Sequence, residues 1–117
     1  MGKFVIRQVP SGCKFDLLAG NGQVIATSEV YETEAACRKG ICSVQKCASV
    51  ARFADLTREG KQPGNPKFEL FQDKAGEYRF RLKARNGQVV AVSENYTTKA
   101  ACEDGIESVR KNAAETE

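Results

Sequence analysis

The sequence predicts an α+β protein in which two tandem β-β-β-α(-β) repeats form one antiparallel sheet with two helices packed on one face. Three observations carry this prediction. Residues 15–48 align without a gap with residues 80–113, and 21 of the 34 aligned residues are identical. Each copy contains an Asn-Gly pair between apolar segments, which is typical of a β-hairpin turn. Each copy then contains apolar residues at helical spacing.

The extent of the repeat defines the domain organisation. The 117 residues suffice for a modest core, so we expect 1–117 to fold as a single domain. Its predicted parts are repeat one at 3–57, a linker at 58–66, repeat two at 67–113 and a frayed tail at 114–117. One repeat alone has an unpaired sheet edge and buries little apolar surface. We therefore expect the repeats to pair as a pseudo-dimer within one monomeric chain.

The strands follow from local sequence signals. The first repeat begins with an extended segment at 3–9, followed by a turn at 10–12 and a second strand at 14–19. Asn21-Gly22 predicts a type I′ turn, because both residue types tolerate positive φ, and a third strand follows at 23–28. The second repeat predicts the same elements, as strands near 67–73, 78–84 and 88–93 and a helix from about 98 to 112.

A helix follows the third strand of each repeat. Thr33 predicts the N-cap of the first helix, Glu34 suits the positive end of its dipole, and the helix is expected to end near Ala48. Gly40 and Gly105 interrupt the two helices at a cost of about 1 kcal/mol relative to alanine, so we expect a close approach there. The predicted core contains the following residues and their counterparts: Phe15, Leu17, Val24, Ala26, Cys37, Ile41 and Val44.

The repeated pattern NGQVxAxSExYxTxAAxxxGIxSVxK, at 21–46 and 86–111, resembles the YegP-like family of small prokaryotic proteins of unknown function. The resemblance covers both repeats. It implies tandem β-β-β-α-β units in one antiparallel sheet, with the strand after each helix exchanged between units. Residues 51–57 would take that role for the first unit, whereas the ending AAETE departs from the pattern. The family implies no enzymatic activity, cofactor or catalytic residue.

Composition limits the function classes. The chain has no histidine, its five cysteines include no CxxC pair, and its formal net charge is only +3. We therefore predict no catalytic residues, no metal site and no cofactor, and we expect reduced thiols. There is no apolar run long enough to span a bilayer and no signal-peptide pattern, which favours a cytoplasmic location without membrane association.

The cysteines divide into two predicted classes. Cys37 and Cys102 lie on the apolar stripes of the helices and are predicted to be buried and inert. Cys42 and Cys47 align with a glutamate and an asparagine in the second repeat, which indicates more exposed positions.

A cluster of polar residues lies at the end of the third strand in each repeat. A ligand hypothesis would use their hydroxyl, carboxylate and phenol groups as a small polar site at the junction of sheet and helix. The alternative is that they satisfy backbone groups and anchor the turn into the helix, and their recurrence in both repeats favours this alternative. The candidate residues are Ser28, Glu29, Tyr31, Ser93, Glu94 and Tyr96.

A basic stripe distinguishes the second repeat from the first. Strict alternation along the strand YRFRLKAR places four cations on one face: Arg79, Arg81, Lys83 and Arg85. Such a face suits nucleic acid phosphates. The alternative is a solvated face in which Glu69 and Asp73 of the neighbouring strand pair with the cations. Phe71 is the aromatic residue best placed to stack with a base.

These observations favour a small non-enzymatic binding or interaction module without naming its partner. Nucleic-acid binding through the stripe from Arg79 to Arg85 is the alternative function. An enzyme ranks third, because the chain has no histidine, no recognisable triad and no metal-binding cluster.

Overall fold

The computed structural model describes residues 2–60 and 63–114, and its elements follow the predicted order. The first repeat contains β1 (Lys3–Val9), β2 (Gly12–Leu18), β3 (Val24–Thr27), α1 (Glu34–Ala48) and β4 (Arg52–Asp55). The second contains β5 (Lys67–Gln72), β6 (Tyr78–Lys83), β7 (Val89–Val92) and α2 (Lys99–Ala114). The α+β fold class is confirmed. The tail predicted at 114–117 lies outside the described residues except for Ala114, which ends α2.

The seven strands form one sheet in the order β1-β2-β3-β7-β6-β5-β4. Neighbouring strands are antiparallel except β4, which runs parallel to β5. The sheet is therefore mixed rather than wholly antiparallel, because β4 leaves its own repeat and adds to the outer edge of the other. The strand exchange that the resemblance implied for residues 51–57 is confirmed.

The two repeats meet at the centre of the sheet around an approximate twofold axis. Thr27 of β3 pairs antiparallel with Val92 of β7, and these residues occupy equivalent positions in the two repeats. A residue that pairs with its own counterpart is the mark of an isologous contact, here made within one chain. This is the one residue pair that joins β3 to β7 in the described segments, so strand pairing alone couples the repeats weakly.

The helices hold this seam together by lying across it. α1 contacts β2 of its own repeat and β7 of the other, while α2 contacts β6 of its own repeat and both β2 and β3 of the other. The two helices also contact each other. One core therefore lies between the helices and a single face of the sheet. Its largest fully buried side chains are Phe15, Leu17, Val44, Phe68, Leu70, Phe80, Leu82, Ile106 and Val109.

The hairpin that contains the third strand of each repeat has a β-bulge, which interrupts the predicted alternation of buried and exposed residues. In the first repeat, Leu17 pairs with Ala26. The next residue, Leu18, pairs with Val24, so Ile25 is the extra residue of the bulge. Ile25 and Ala26 are both buried, whereas Val24 is 38% exposed. The prediction that Val24 belongs to the core is wrong, because the bulge breaks the period of two.

Both helices begin with a capping threonine. Thr33 Oγ1 accepts a hydrogen bond from the Ala36 N–H at 3.1 Å, which confirms the predicted N-cap of α1. Thr98 makes the equivalent bond with Ala101 at the start of α2, also at 3.1 Å. Neither helix in the part of the chain that the structure describes is long and apolar enough to cross a membrane.

The two helix glycines lie where an aromatic ring meets the helix, which confirms the predicted close approach. The ring of Tyr31 stacks on Phe15, with the ring centroids 6.3 Å apart, and reaches across Gly40. A Cβ at Gly40 would collide with Tyr31 Oη and lie 2.7 Å from its Cζ. Tyr96 lies against Gly105 in the same way. Each helix therefore packs on an aromatic stack that leaves no room for a side chain.

Replacement of Gly40 by alanine should destabilise the protein, because the added methyl must displace Tyr31 from its stack. Overpacking of this kind costs about 1–3 kcal/mol, and the gain of roughly 1 kcal/mol in helix propensity offsets only part of it. We expect Gly40→Ala to lower the free energy of unfolding in urea by about 1–2 kcal/mol. Gly64→Ala is the control, since no heavy atom lies within 4 Å of its Cβ position. Equal destabilisation by both variants would contradict the packing explanation.

Candidate functional site

The serines of the two polar clusters bond to the protein's own backbone. Ser28 Oγ accepts a hydrogen bond from the Phe15 N–H at 2.9 Å and donates one to the Glu29 carbonyl at 2.7 Å. Ser93 makes the equivalent bonds in the second repeat, at 2.9 and 2.8 Å. Both serines are buried. Since each hydroxyl donates and accepts within the fold, this geometry favours the anchoring role over the ligand hypothesis.

The tyrosines of the clusters also connect the strand ends to the helix. Tyr31 and Tyr96 form backbone bridges to Cys13 and Tyr78, and then place their half-buried rings against the core. Burial raises the pKa of both phenols, so both remain protonated at neutral pH. The glutamates of the two clusters are exposed. Each cluster therefore lies within its own repeat, where serine and tyrosine join the strand ends to the helix.

Three of the four predicted cations lie on the open face of the sheet, which is the face turned away from the helices. Arg79, Arg81 and Lys83 alternate with buried core residues along β6. Arg85 lies beyond β6, which ends at Lys83 next to the bulge, and it lines a hollow together with side chains of α1. The placement of Arg85 in the stripe is therefore wrong.

Glu69 of β5 lies among the cations and is only 4% exposed. Its Oε1 accepts a hydrogen bond from Arg81 Nε at 2.7 Å and lies 3.3 Å from Lys83 Nζ, while Oε2 lies 3.4 Å from the Nζ of Lys67. Burial by itself would raise the pKa of Glu69, but the hydrogen bonds and charges of Arg81 and Lys83 outweigh burial and leave this pKa below its ordinary value. The carboxylate is thus ionised at neutral pH and holds three cations, as the pairing alternative predicted.

Three further residues of the stripe and of the neighbouring strand make contacts that do not involve Glu69. The guanidinium of Arg81 lies over the ring of Phe71, 4.8 Å from its centroid, so this ring is partly covered. Asp73 does not join the stripe, because its Oδ1 accepts hydrogen bonds from two backbone N–H groups of the turn after β5. Arg79 Nη2 donates to the Ser93 carbonyl at 3.1 Å, and its buried Nε has no hydrogen-bond partner among the described residues.

The open face carries further cations that the sequence analysis missed. The register of the strands places five more on this face. Lys3, Arg7 and Lys14 lie on β1 and β2, which β7 and β3 separate from β6. Lys67 and Arg52 lie on β5 and β4, on the side of β6 away from β7. With Arg79, Arg81 and Lys83 these five form what we call the basic face. These eight cations and two buried carboxylates, Asp16 and Glu69, give the basic face a formal charge of +6, against +3 for the whole chain. The alternation KFVIR in β1 is the signal that would have revealed the first two.

The second buried carboxylate lies in the first repeat and has its own cation. Asp16 Oδ2 accepts a hydrogen bond from Arg7 Nε at 2.8 Å, and its Oδ1 accepts one from Thr27 Oγ1 at 2.7 Å. The hydrogen bond to Asp16 raises the pKa of Arg7, which stays charged. The basic face therefore has one buried carboxylate in each half, and each carboxylate fixes a guanidinium.

The cysteines form no disulfide, and four of the five are buried. Cys37 and Cys102 are buried and Cys42 is exposed, as predicted; burial raises the pKa of Cys102 to about 11. Cys47 was predicted to be more exposed, but only 6% of its surface is accessible to solvent. The counterpart Asn112 is also buried and satisfies its amide within α2. Within residues 2–60 and 63–114, no group of three or more metal-ligating residues converges.

Comparisons with known proteins agree with the two-repeat fold. The model of a domain of unknown function, DUF1508, matches residues 12–55 and again residues 73–117. A UPF0339 protein of Photorhabdus laumondii is 41% identical over 100 residues, which are 86% of this chain and 75% of that protein. A UPF0339 protein of Treponema denticola is 64% identical over 47 residues, which are 40% of this chain but 81% of that protein.

A solved structure shares the whole fold. The solution NMR structure of the E. coli protein of unknown function yegP superposes with a TM-score of 0.80 at 30% sequence identity, and the match covers 98% of this chain and 88% of that one. The family pattern occurs twice along the chain, and the relatives and the solved fold agree with it. The chain belongs to the DUF1508 family of YegP-like proteins.

Proposed function

We propose that this chain is a non-enzymatic binding module that binds nucleic acid through the basic face. The observation that supports the proposal is the concentration of charge, with eight cations and two buried carboxylates on one face of a chain whose total formal charge is +3. A polyanion that approaches this face meets cations from five of the seven strands. Their contacts with phosphates release condensed counterions, which supplies the affinity in non-specific nucleic acid binding.

The buried carboxylates order the basic face without neutralising it. Asp16 holds Arg7, and Glu69 holds Arg81, so these guanidiniums lose little side-chain freedom when a ligand binds. The side chain of Arg7 remains 51% exposed, and that of Arg81 remains 34% exposed. Both guanidiniums are thus fixed by a carboxylate and still open to a phosphate.

The geometry favours contacts with phosphates over contacts with bases. Phe71 is the aromatic side chain that the described strands place on the basic face, and Arg81 covers part of its ring. Base stacking on aromatic rings contributes about 1–3 kcal/mol per base, so a single covered ring adds little. We therefore expect binding with low sequence specificity, since phosphate contacts position a nucleic acid without identifying its bases.

Binding to a labelled single-stranded oligo(dT) of about 20 nucleotides should depend on salt and on the basic face. We expect the triple variant Lys3→Gln, Lys14→Gln and Arg52→Gln to raise the dissociation constant at least about tenfold at roughly 50 mM salt. The slope of log affinity against log salt should become shallower by about 2, because three phosphate contacts on a single strand are lost. Fluorescence anisotropy across a salt series measures both quantities.

The matched control removes three lysines from the helices: Lys39→Gln, Lys46→Gln and Lys111→Gln. This variant has the same net charge as the first but keeps the basic face, so its affinity should stay within about twofold of the wild type. An equal loss in both triple variants would exclude the basic face as the binding site. A wild-type protein that leaves the anisotropy unchanged at low salt would exclude nucleic acid binding altogether.

Glu69→Gln should destabilise the fold in a pH-dependent manner, because it leaves Arg81, Lys83 and Lys67 without their shared carboxylate. We expect a loss of about 1–3 kcal/mol in the free energy of unfolding at pH 7, since the cations are partly exposed. The folded pKa of Glu69 is lowered, so its contribution is present above the ordinary carboxyl pKa and disappears as the pH falls through the lowered value.

Urea denaturation at pH 7, 5 and 3 tests this prediction. The difference between wild type and Glu69→Gln should shrink toward pH 3, where the wild-type carboxyl also becomes neutral. Glu34→Gln is the control, because Glu34 pairs with Arg38 on the exposed surface of α1 and should contribute at most a few tenths of a kcal/mol. A difference for Glu69→Gln that stays constant with pH would contradict the role of the charge.

A further inference from the structure

A hollow lies where α1 of the first repeat meets the turn between β6 and β7 of the second repeat. Its volume is about 290 Å³, and six residues line it: Ser43, Lys46, Cys47, Ala84, Arg85 and Asn86. The first three belong to α1, and the other three belong to the turn. The hollow therefore exists only when the two repeats are assembled. Small-molecule sites occur preferentially at such junctions between packed units.

The lining of the hollow combines an apolar floor with a cationic rim. Cys47 and Ala84 are buried and form the floor, where a cysteine behaves as a small apolar side chain. Lys46 and Arg85 are exposed and form the rim. None of the six lining residues is acidic. Apolar surface with a few convergent polar groups is the usual composition of a small-molecule site.

The polar groups of the rim are available to a ligand. Within the described residues, the side chains of Ser43, Lys46 and Arg85 bond to no other residue. Asn86 Nδ2 donates one hydrogen bond, to Gln88 Oε1 at 3.3 Å, and keeps a second hydrogen for a ligand. The hollow thus offers two uncompensated cations and two neutral donors. An anion is the ligand that complements this set.

The equivalent place in the other half of the protein, between α2 and the turn after β2, is built differently. The serine and the lysine are retained there, but Asn112 replaces Cys47 and Gly20 replaces Arg85. Asn112 Nδ2 donates to Ser108 Oγ at 3.1 Å, so this serine has its partner within the fold. Two exchanges between the repeats therefore distinguish the hollow: one leaves the serine unbonded and the other adds an arginine.

The two cations suit a phosphate monoester better than a carboxylate. A phosphate monoester carries a charge of about −1.5 to −2 near pH 7, which matches two cations, whereas a carboxylate carries one charge. The guanidinium of Arg85 can donate two parallel hydrogen bonds to phosphate oxygens, and the ammonium of Lys46 acts as a point charge. The hydroxyl of Ser43 and the amide of Asn86 can donate to the remaining oxygens.

We propose that the hollow binds a small organic phosphate, with the phosphate between Lys46 and Arg85 and the organic group over the floor of Cys47 and Ala84. The ligand is small, because about 290 Å³ lies just below the range of drug-sized sites. A backbone phosphodiester carries one charge and two bulky substituents, so the hollow selects a monoester over the backbone of a nucleic acid. The site shares no residue with the basic face and is independent of the proposed nucleic acid binding.

Phenyl phosphate tests the proposal on the intact protein, and inorganic phosphate and phenol each supply one half of its chemistry. Amide NMR titrations at pH 7 should show saturable shifts at residues 43–47 and 84–86, with a dissociation constant for phenyl phosphate on the order of 1 mM or below. Inorganic phosphate should bind at least about threefold more weakly, because it leaves the apolar floor uncovered. Phenol should give no saturable shifts.

Three results would overturn the proposal. One is the absence of saturable shifts with phenyl phosphate. Another is a set of shifts concentrated on the basic face instead of the hollow. The third is equal affinity for inorganic phosphate and phenyl phosphate, because the floor would then contribute nothing and the ligand would not be an organic phosphate.

A matched pair of variants separates the hollow from general charge attraction. Lys46 and Lys111 occupy equivalent positions on the two helices, and both are exposed. Lys46→Gln and Arg85→Gln should each weaken phenyl phosphate at least about fivefold, since each removes one charge-assisted hydrogen bond. Lys111→Gln should leave the affinity within about twofold. Equal effects of Lys46→Gln and Lys111→Gln would contradict binding in the hollow.

Cys47→Asn reproduces the arrangement of α2 inside the hollow. The new amide should bond to the hydroxyl of Ser43, as Asn112 bonds to Ser108, and it removes part of the apolar floor. We expect at least about a fivefold loss of affinity for phenyl phosphate. Circular dichroism melting checks that the variant folds, as the buried Asn112 of α2 leads us to expect. Should Cys47→Asn fail to fold, the two lysine variants decide the outcome. An unchanged affinity in a folded Cys47→Asn would overturn the proposal.

Discussion

The fold depends on each repeat covering the apolar surface that the other leaves exposed. The sheet itself provides little coupling, since β3 and β7 join through the single pair of Thr27 and Val92. Coupling comes instead from the helices, which lie across the seam, and from β4, which crosses to the far edge of β5. Apolar burial stabilises by roughly 25 cal/mol per Å², so the shared core contributes far more than one strand bridge does. We therefore expect the chain to unfold as one cooperative unit although its sequence is a repeat.

The pseudo-twofold constrains the core strongly and the open face weakly. Beneath the helices the repeats agree, because each stack of aromatic rings must fill the same space below a helix glycine. On the open face, Asp16 corresponds to Arg81 and Val5 corresponds to Glu69. The buried carboxylate has thus changed strands between the halves, and each half still has one beneath its cations. Both halves therefore keep a buried carboxylate that partly neutralises the cations around it. The open-face positions that differ between the repeats lie on the side of the sheet away from the core, so packing does not prevent them from acquiring a binding role.

The sequence was sufficient for features that depend on local spacing and on the comparison of one repeat with the other. The element order, the capping Thr33 and the glycine contacts follow from such signals. Features that depend on register across strands were missed: the bulge that exposes Val24 and the five additional cations of the basic face. Cys47 was misplaced because a polar counterpart indicated exposure, although Asn112 is itself buried with its amide satisfied. Periodicity defines the faces of one strand, and only tertiary pairing determines what lies beside it.

The edge strand β1 contributes two of the cations of the basic face, Lys3 and Arg7. An unpaired edge pairs readily with any extended chain, and charged side chains limit such pairing. β4 is only four residues long, whereas β1 has seven residues and carries Lys3 and Arg7 on its open-face side. These cations repel a second β1 edge, so charge limits edge-to-edge pairing at this end of the sheet. The same cations contribute to the +6 charge of the basic face. The charge that limits pairing at the edge of β1 is therefore also part of the surface proposed to bind phosphates.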